Sequence, residues 1–256
     1  MFAAQINLKN GNAEQEVFVE ESYWLLGAWE KNGQIVSDQW PIATTSDGLI
    51  AQVLIPAVNA LNDRFANRYV REALRRYHKL TSMRPQIQVL GPHPESAPPC
   101  SCSNRPGYIL FTNYLSVEAP VRCSKCFRPV PLYLLPPTHD EEYLDILSWM
   151  ADYKACDTLQ MHCTVGERFG EQQMFSPNSA LSKQGLKLCK ALQAKVKRKV
   201  YYYLHKSRGR SLSDERKRRC PVCHRQWILD TTWHNLFQFR CEHCKLVSNI
   251  ASSLGI

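Results

Sequence analysis

Nowhere in the 256-residue sequence does an apolar run approach the roughly 18 residues that a membrane helix needs; the best, Tyr23 to Trp29, is about seven long. The opening Met-Phe-Ala-Ala-Gln-Ile-Asn lacks a basic start followed by a long apolar core. No secretory signal is therefore expected, and the protein is placed in the cytoplasm without a membrane partner. Catalytic signatures are missing too: there is no P-loop, no G-x-S-x-G and no H-E-x-x-H. No repeat recurs at a solenoid period. Charge imbalance is absent from most of the chain. Between Lys195 and Arg219 eleven Lys/Arg stand against two Asp/Glu, a net of +9 that equals the charge of the whole protein. The rest sums to zero. Such a local patch attracts phosphate backbones or acidic protein surfaces, and a solubilising linker is the plainer alternative.

What the chain has in quantity is cysteine, eleven in all. A reducing cytosol disfavours structural disulfides, so close pairs point to metal ligands or catalytic thiols. Cys220-Pro-Val-Cys223 and Cys241-Glu-His-Cys244 are separated by seventeen residues, inside the spacing range of four-cysteine zinc sites. Two residues between cysteines let a tight knuckle turn both sulfurs toward one ion, and two knuckles complete a tetrahedron. Cys100-Ser-Cys102 and Cys123-Ser-Lys-Cys126 form a second, less regular set. Its C-x-C pair departs from the knuckle pattern, which leaves His93 and His139 as substitute ligands. Two structural Zn²⁺ ions are the expected cofactors. Four sulfurs leave no open coordination position to activate water, so both sites read as scaffolds. Cys156, Cys163 and Cys189 read as small apolar core residues. The adjacent His162 and Cys163 invite a thiol-enzyme reading, but no orienting acid or oxyanion hole accompanies them. No enzyme is expected.

The periodicities predict an α+β protein. Phe2–Leu8 suits an opening strand and Asn12 an N-cap for a helix over 13–30. Runs at 34–44 and 48–55 read as strands joined by the Asp47-Gly48 turn. Pro56 then opens a second helix, with Val58, Leu61, Phe65, Tyr69, Ala73, Tyr77 and Leu80 on its buried face. Its other face carries Arg64, Arg68, Arg71, Arg75 and Lys79. Gln86–Leu90 adds a last strand, and the β-α-β-β-α-β order predicts a ferredoxin-like domain over 1–92. A Pro-rich boundary follows. The first four-cysteine zinc element is expected over 100–136, with strand-like runs at Tyr108–Thr112 and Pro131–Leu135. A helical or α/β region covers 137–205, with helices from about Asp140 and over 179–194 and a strand at Val200–Leu204. A basic tether and the C-terminal zinc ribbon occupy 206–256.

The stretch Asp145 to Phe169, with Leu181–Cys189, Tyr201–Leu204 and the knuckle segments up to Ala251, resembles a prokaryotic family of uncharacterised zinc-ribbon-containing proteins for which nucleic-acid binding has been suggested. The likeness runs from about residue 40 to the end and implies a bacterial origin. His224 stands where a glycine often follows the first knuckle of such ribbons.

Two functions compete. In the first, the protein is a non-enzymatic binder of nucleic acid. Lys197, Arg198, Lys199, Arg208, Arg210, Arg216, Lys217, Arg218 and Arg219 would hold phosphates, and Tyr201, Tyr202, Tyr203, Trp227 and Trp233 would offer rings for stacking. In the second, it is a bacterial immunity protein or antitoxin that blocks a toxin through protein–protein contacts. A rigid, zinc-stapled, catalytically silent protein suits stoichiometric inhibition.

Overall fold

Alternation in Phe2–Lys9 builds the first strand, β1, with Ala4, Ile6 and Leu8 buried on one face and Gln5, Asn7 and Lys9 half-buried on the other. The computed structural model describes residues 1–36 and 40–255, in two compact units. The first unit comprises Met1–Pro99 with two later returns, Val117–Ala119 and Pro129–Leu144. After β1 come α1 (Gln15–Lys31), β2 (Ile42–Thr45), β3 (Gly48–Ile55), α2 (Arg68–Thr81) and β4 (Gln86–Pro92). The strands form one sheet in the order β2-β3-β1-β4, every pairing antiparallel. Phe18, Leu25 and Trp29 of α1 and Val70, Ala73 and Tyr77 of α2 join the buried sheet face in a single apolar core. Gly48 has φ +156°, and a Cβ there would stand 1.9 Å from the Leu8 carbonyl oxygen, so the β2–β3 turn requires glycine.

Two expectations for this unit need correction. The second helix does not start at Pro56. Asn67 accepts the Val70 N–H at 2.9 Å and caps α2 eleven residues later, while a 3₁₀ turn at Asp63–Phe65, capped by Asn62, occupies part of the interval. Val58 is consequently exposed, and Tyr69 is only half-buried. Of the strand expected over 34–44, residues 37–39 lie outside the described residues, and pairing begins at Ile42.

The second unit comprises Cys100–Ser116, Pro120–Arg128 and the chain from Asp145 onward. It contains β5 (Gly107–Leu110), β6 (Val121–Cys123), α3 (Leu144–His162), α4 (Glu167–Phe175), α5 (Ala180–Val196), β7 (Lys199–Leu204), α6 (Leu212–Lys217), β8 (Ile228–Trp233), β9 (Phe237–Cys241) and β10 (Leu246–Ser248). These strands make a second sheet in the order β6-β5-β7-β10-β9-β8. Here β7 runs parallel to both β5 and β10, so it joins the two cysteine hairpins into one surface. Helix α5 lies close on β7 because Gly185 faces Tyr202; a Cβ would come within 2.1 Å of the ring. The run expected as a strand at Pro131–Leu135 is instead a 3₁₀ turn at Leu132–Leu134, in the first unit.

Residues 206–219 are not a tether. Ser211 accepts the Asp214 N–H at 3.1 Å and starts α6, and Ser207 and Glu215 are buried. Polar composition misleads here because hydrogen bonds to backbone, rather than apolar side chains, hold the segment. Asn249 accepts the Lys206 N–H and donates to its carbonyl, and Glu215 accepts the Ala251 N–H.

Candidate metal centres and a basic groove

Cys220, Cys223, Cys241 and Cys244 come together at the β9–β10 end of the second sheet, and Cys100, Cys102, Cys123 and Cys126 at the β5–β6 end. In each group the four sulfurs lie within 4.8 Å of one another. A tetrahedral ion with Zn–S of ~2.3 Å needs sulfur–sulfur separations of ~3.8 Å. The Cys223–Cys241 Sγ separation is 3.5 Å. Each group can therefore hold one metal ion. Neither His93 nor His139 joins a cluster among the described residues, so the C-x-C pair supplies two sulfurs itself.

The knuckles share one backbone geometry. Cys220 N–H donates to Arg225 O at 3.0 Å and His224 N–H to Cys220 O at 2.9 Å. Cys123 N–H donates to Arg128 O at 3.0 Å and Phe127 N–H to Cys123 O at 2.8 Å. The residue after each knuckle is left-handed: φ is +59° at Phe127, +58° at His224 and +57° at Lys245. Backbone N–H groups point at sulfur, from Lys125 to Cys123 at 3.4 Å and from Cys244 to Cys241 at 3.3 Å. Such donors favour the thiolate that a metal requires. Cys223 is brought down to about 7, first by a hydrogen bond from the Arg225 backbone. At Cys100 burial pushes the thiol up, but the Arg105 guanidinium, with Nε 3.4 Å from the sulfur, helps bring it down to about 7.

The hairpins also brace each other. His234, in the β8–β9 turn, stacks on Phe127 with centroids 5.1 Å apart, and its Nε2 lies 2.9 Å from Ser124 O in the first knuckle. Phe127 further packs on Phe111 and Phe237.

Between the two hairpins lies a groove of about 560 Å³ lined by Lys197, Arg198, Lys199, Tyr201, Trp233 and Arg240. Lys197 ends α5 in a left-handed conformation, which turns the chain into β7 and exposes three consecutive cations. Glu242 organises the groove. It lies 2.8 Å from Lys199 Nζ and 2.9 Å from Arg240 Nε, and it accepts the Tyr201 hydroxyl. Opposite charges hold this carboxyl below its ordinary range against the upward push of burial. Arg240 in turn lies 4.9 Å over the half-buried Trp233 ring. Arg240 and Glu242 escape a search for charge runs because they sit in the ribbon, each an isolated position.

The other basic residues are scattered. Arg210 borders a separate cavity of about 500 Å³ with Lys206 and Asp214, and Arg208 there pairs with Glu167. Arg216, Lys217 and Arg219 are exposed. Arg218 is a correction: it is a structural residue, with its side chain only 13% exposed. Its guanidinium lies 4.1 Å over Phe239, pairs with Glu215 at 3.3 Å and bonds Asn249 O at 2.6 Å. Tyr201, Tyr202, Tyr203 and Trp227 are buried and offer no face to a base. Cys156 and Cys189 are buried as expected, whereas Cys163 is exposed at the end of α3.

Three family models match the chain, each described as a domain of unknown function: DUF8589 over residues 1–91, DUF2310 over 102–205 and DUF8594 over 209–254. Two uncharacterized proteins of Haemophilus influenzae are similar to it. One is 28% identical over 89% of this chain and 88% of its own length. The other is 33% identical over 56% of this chain and 70% of its own length. No solved structure matches.

Proposed function

We propose that this chain, which belongs to the family of the uncharacterized Haemophilus influenzae protein that it matches at 33% identity, is a non-enzymatic binder of single-stranded nucleic acid. The groove between the two cysteine hairpins carries this reading. Lys197 and Arg198 have no ion-pair partner among the described residues and stand beside Lys199, Arg240 and the Trp233 ring. Cations hold phosphates and an accessible ring stacks on a base, a combination that suits single strands without sequence readout. Zinc is the ion that fits both sites, since four-thiolate sets with knuckle geometry are its usual structural donors. The ions would hold the hairpins that flank the groove and leave no open position for catalysis. The strand order β2-β3-β1-β4, with α1 and α2 over one face, supports a ferredoxin-like first unit. A cytoplasmic location agrees with thiolate sites that need a reducing environment.

The test is fluorescence anisotropy with a single-stranded oligonucleotide across a salt series. Each phosphate contact to a single strand contributes a log–log slope of about −0.7, so three to four contacts give roughly −2 to −3. Alanine at both Lys197 and Arg198 flattens the slope by about 1.4. Trp233→Ala weakens binding by ~1–3 kcal/mol with the slope unchanged. Alanine at Arg216 and Lys217 serves as the control and leaves both readouts near wild type. No binding at low salt rejects this reading and transfers the role to a protein partner.

A further inference from the structure

The sheet of the first unit ends in two unlike edges. At one, β2 is four residues long; at the other, β4 runs for seven, and residues 86–90 are all exposed. The ladder of β4 with β1 is regular from Gln86 to Val89, and its irregularity falls beyond, between Ala3 and Ala4 of β1. In an antiparallel ladder every second residue turns both its N–H and its C=O away from the neighbouring strand. On the outer side of β4 no strand receives these groups among the described residues. Folded proteins blunt such an edge with charge, proline or a covering segment. β4 has no charged residue, and its proline, Pro92, stands at the far end. Ile87, Val89 and Leu90 are instead 43%, 38% and 52% exposed. An uncharged, apolar, open edge is a template for one more strand.

What α2 sets beside that edge selects the strand. Ile87 pairs with the buried Ile6, so Ile87 and Val89 lie on the helix-facing side of the sheet. On that side a cavity of about 490 Å³ lies within the first unit. Leu61, Leu74 and Ile87 give it an apolar lining, and Arg71, Arg75 and Arg84 a cationic one. Arg75 pairs with Glu72 and Arg84 faces Asp63 at 3.8 Å, while Arg71 has no ion pair among the described residues. A strand added to β4 sends alternate side chains to this side, where an apolar one meets Leu74 and Ile87 and carboxylates meet the guanidiniums. A second copy of the chain fits poorly, because pairing β4 with itself about a twofold axis sets one arginine rim against the other. A nucleic-acid strand makes no use of an open backbone ladder or of three exposed aliphatic side chains.

We propose that β4 and the arginine rim of α2 dock an acidic, extended segment of a partner protein as a fifth strand of the sheet. The test is titration of the intact protein with the peptide acetyl-Thr-Glu-Thr-Val-Thr-Glu-Thr-amide, whose two Glu and one Val share one face of a strand. Binding should slow amide hydrogen exchange at alternate residues of β4. Gln in place of both Glu should weaken it about tenfold, the combined scale of two exposed ion pairs. Methylation of alternate peptide amides separates strand pairing from charge attraction. One alternate set should abolish binding and the other change it by less than about twofold, because only one edge of the peptide faces β4. Arg71→Gln together with Arg75→Gln, both at exposed positions, should erase the preference for Glu over Gln. No binding at millimolar concentration by folded wild-type protein overturns the proposal, as does equal loss with either methylated set or equal affinity for the Glu and Gln peptides. Displacement of the peptide by a single-stranded oligonucleotide from protein carrying Lys197→Ala and Arg198→Ala overturns it in favour of nucleic acid on the arginine face. A dimer that Val89→Lys dissociates overturns it in favour of a second copy at the edge.

Discussion

The two four-cysteine groups sit at opposite ends of one sheet and share a knuckle geometry, but they are built differently. The C-terminal group draws on two C-x-x-C turns seventeen residues apart and needs little from the rest of the chain to form. The first group has one such turn, and its other two sulfurs come from a C-x-C pair across a hairpin, steadied by Arg105 Nε at 3.4 Å from Cys100. The residue after the knuckle shows the same contrast. His224 is exposed, whereas Phe127 in the equivalent left-handed position packs on Phe111, His234 and Phe237. A sequence-local site can afford an uncommitted side chain there. A site assembled from distant pieces uses the same position to anchor itself to its neighbour.

Removing a ligand should have the largest effect. A structural zinc site contributes ~10–16 kcal/mol of apparent binding free energy. Cys220→Ser should lower metal content from two ions to one by elemental analysis. Because β10 pairs directly with β7, melting should spread through the second unit rather than stay within the ribbon. Unchanged hydrogen-exchange protection in β7 would break the view of a shared sheet. Arg218→Ala comes next. It leaves Glu215 buried without its partner and should cost ~3–5 kcal/mol by urea denaturation, whereas Arg216→Ala, on an exposed residue, should change stability by less than ~0.5 kcal/mol.

Phe127→Gly relieves a left-handed backbone but deletes the ring that joins the hairpins, and a net loss of about 2–3 kcal/mol is expected. Arg105→Ala should weaken metal binding at the first group by ~10- to 100-fold, with the second unaffected, as read by chelator competition. The sign with pH follows from Cys100. Its lowered thiol stays ionised down to about 7, so the wild-type first site keeps its metal to lower pH. Without Arg105 the first of the hydrogen bonds that offset burial is lost, the thiol moves up, and metal is released at higher pH. A change of opposite sign is expected at His224→Gly, a gain of ~0.5–1 kcal/mol in ribbon stability, because the +58° φ is relieved at an exposed residue. A loss there would mean that the exposed imidazole makes contacts of its own.

Much of the first unit was legible because its signals are local. The apolar alternation of β1 and the Asp47-Gly48 turn each occupy a few residues and act through backbone conformation. The start of α2 was misread because apolar residues from Val58 to Phe65 fall at helical spacing by coincidence, while the deciding feature is one side-chain cap at Asn67. In the basic segment, charge density suggested one solvated surface. Burial separates it into the exposed trio Lys197–Lys199, the ion-paired Arg208 and the interior Arg218, a division invisible in composition.

Cysteine identity and spacing by themselves determined the C-terminal sulfur set, because a knuckle is closed by residues only a few positions apart, whereas the completion of the first set by the C-x-C pair rather than by His93 or His139 was decided by the fold. The register that sets β7 parallel to β5 and β10, and so opens a groove between the two hairpins, was decided only by the tertiary structure. So was the pairing of Arg240 with Glu242 in that groove. Such arrangements depend on which distant strands and helices meet and on what water can still reach, and neither quantity is written at any single position of the chain.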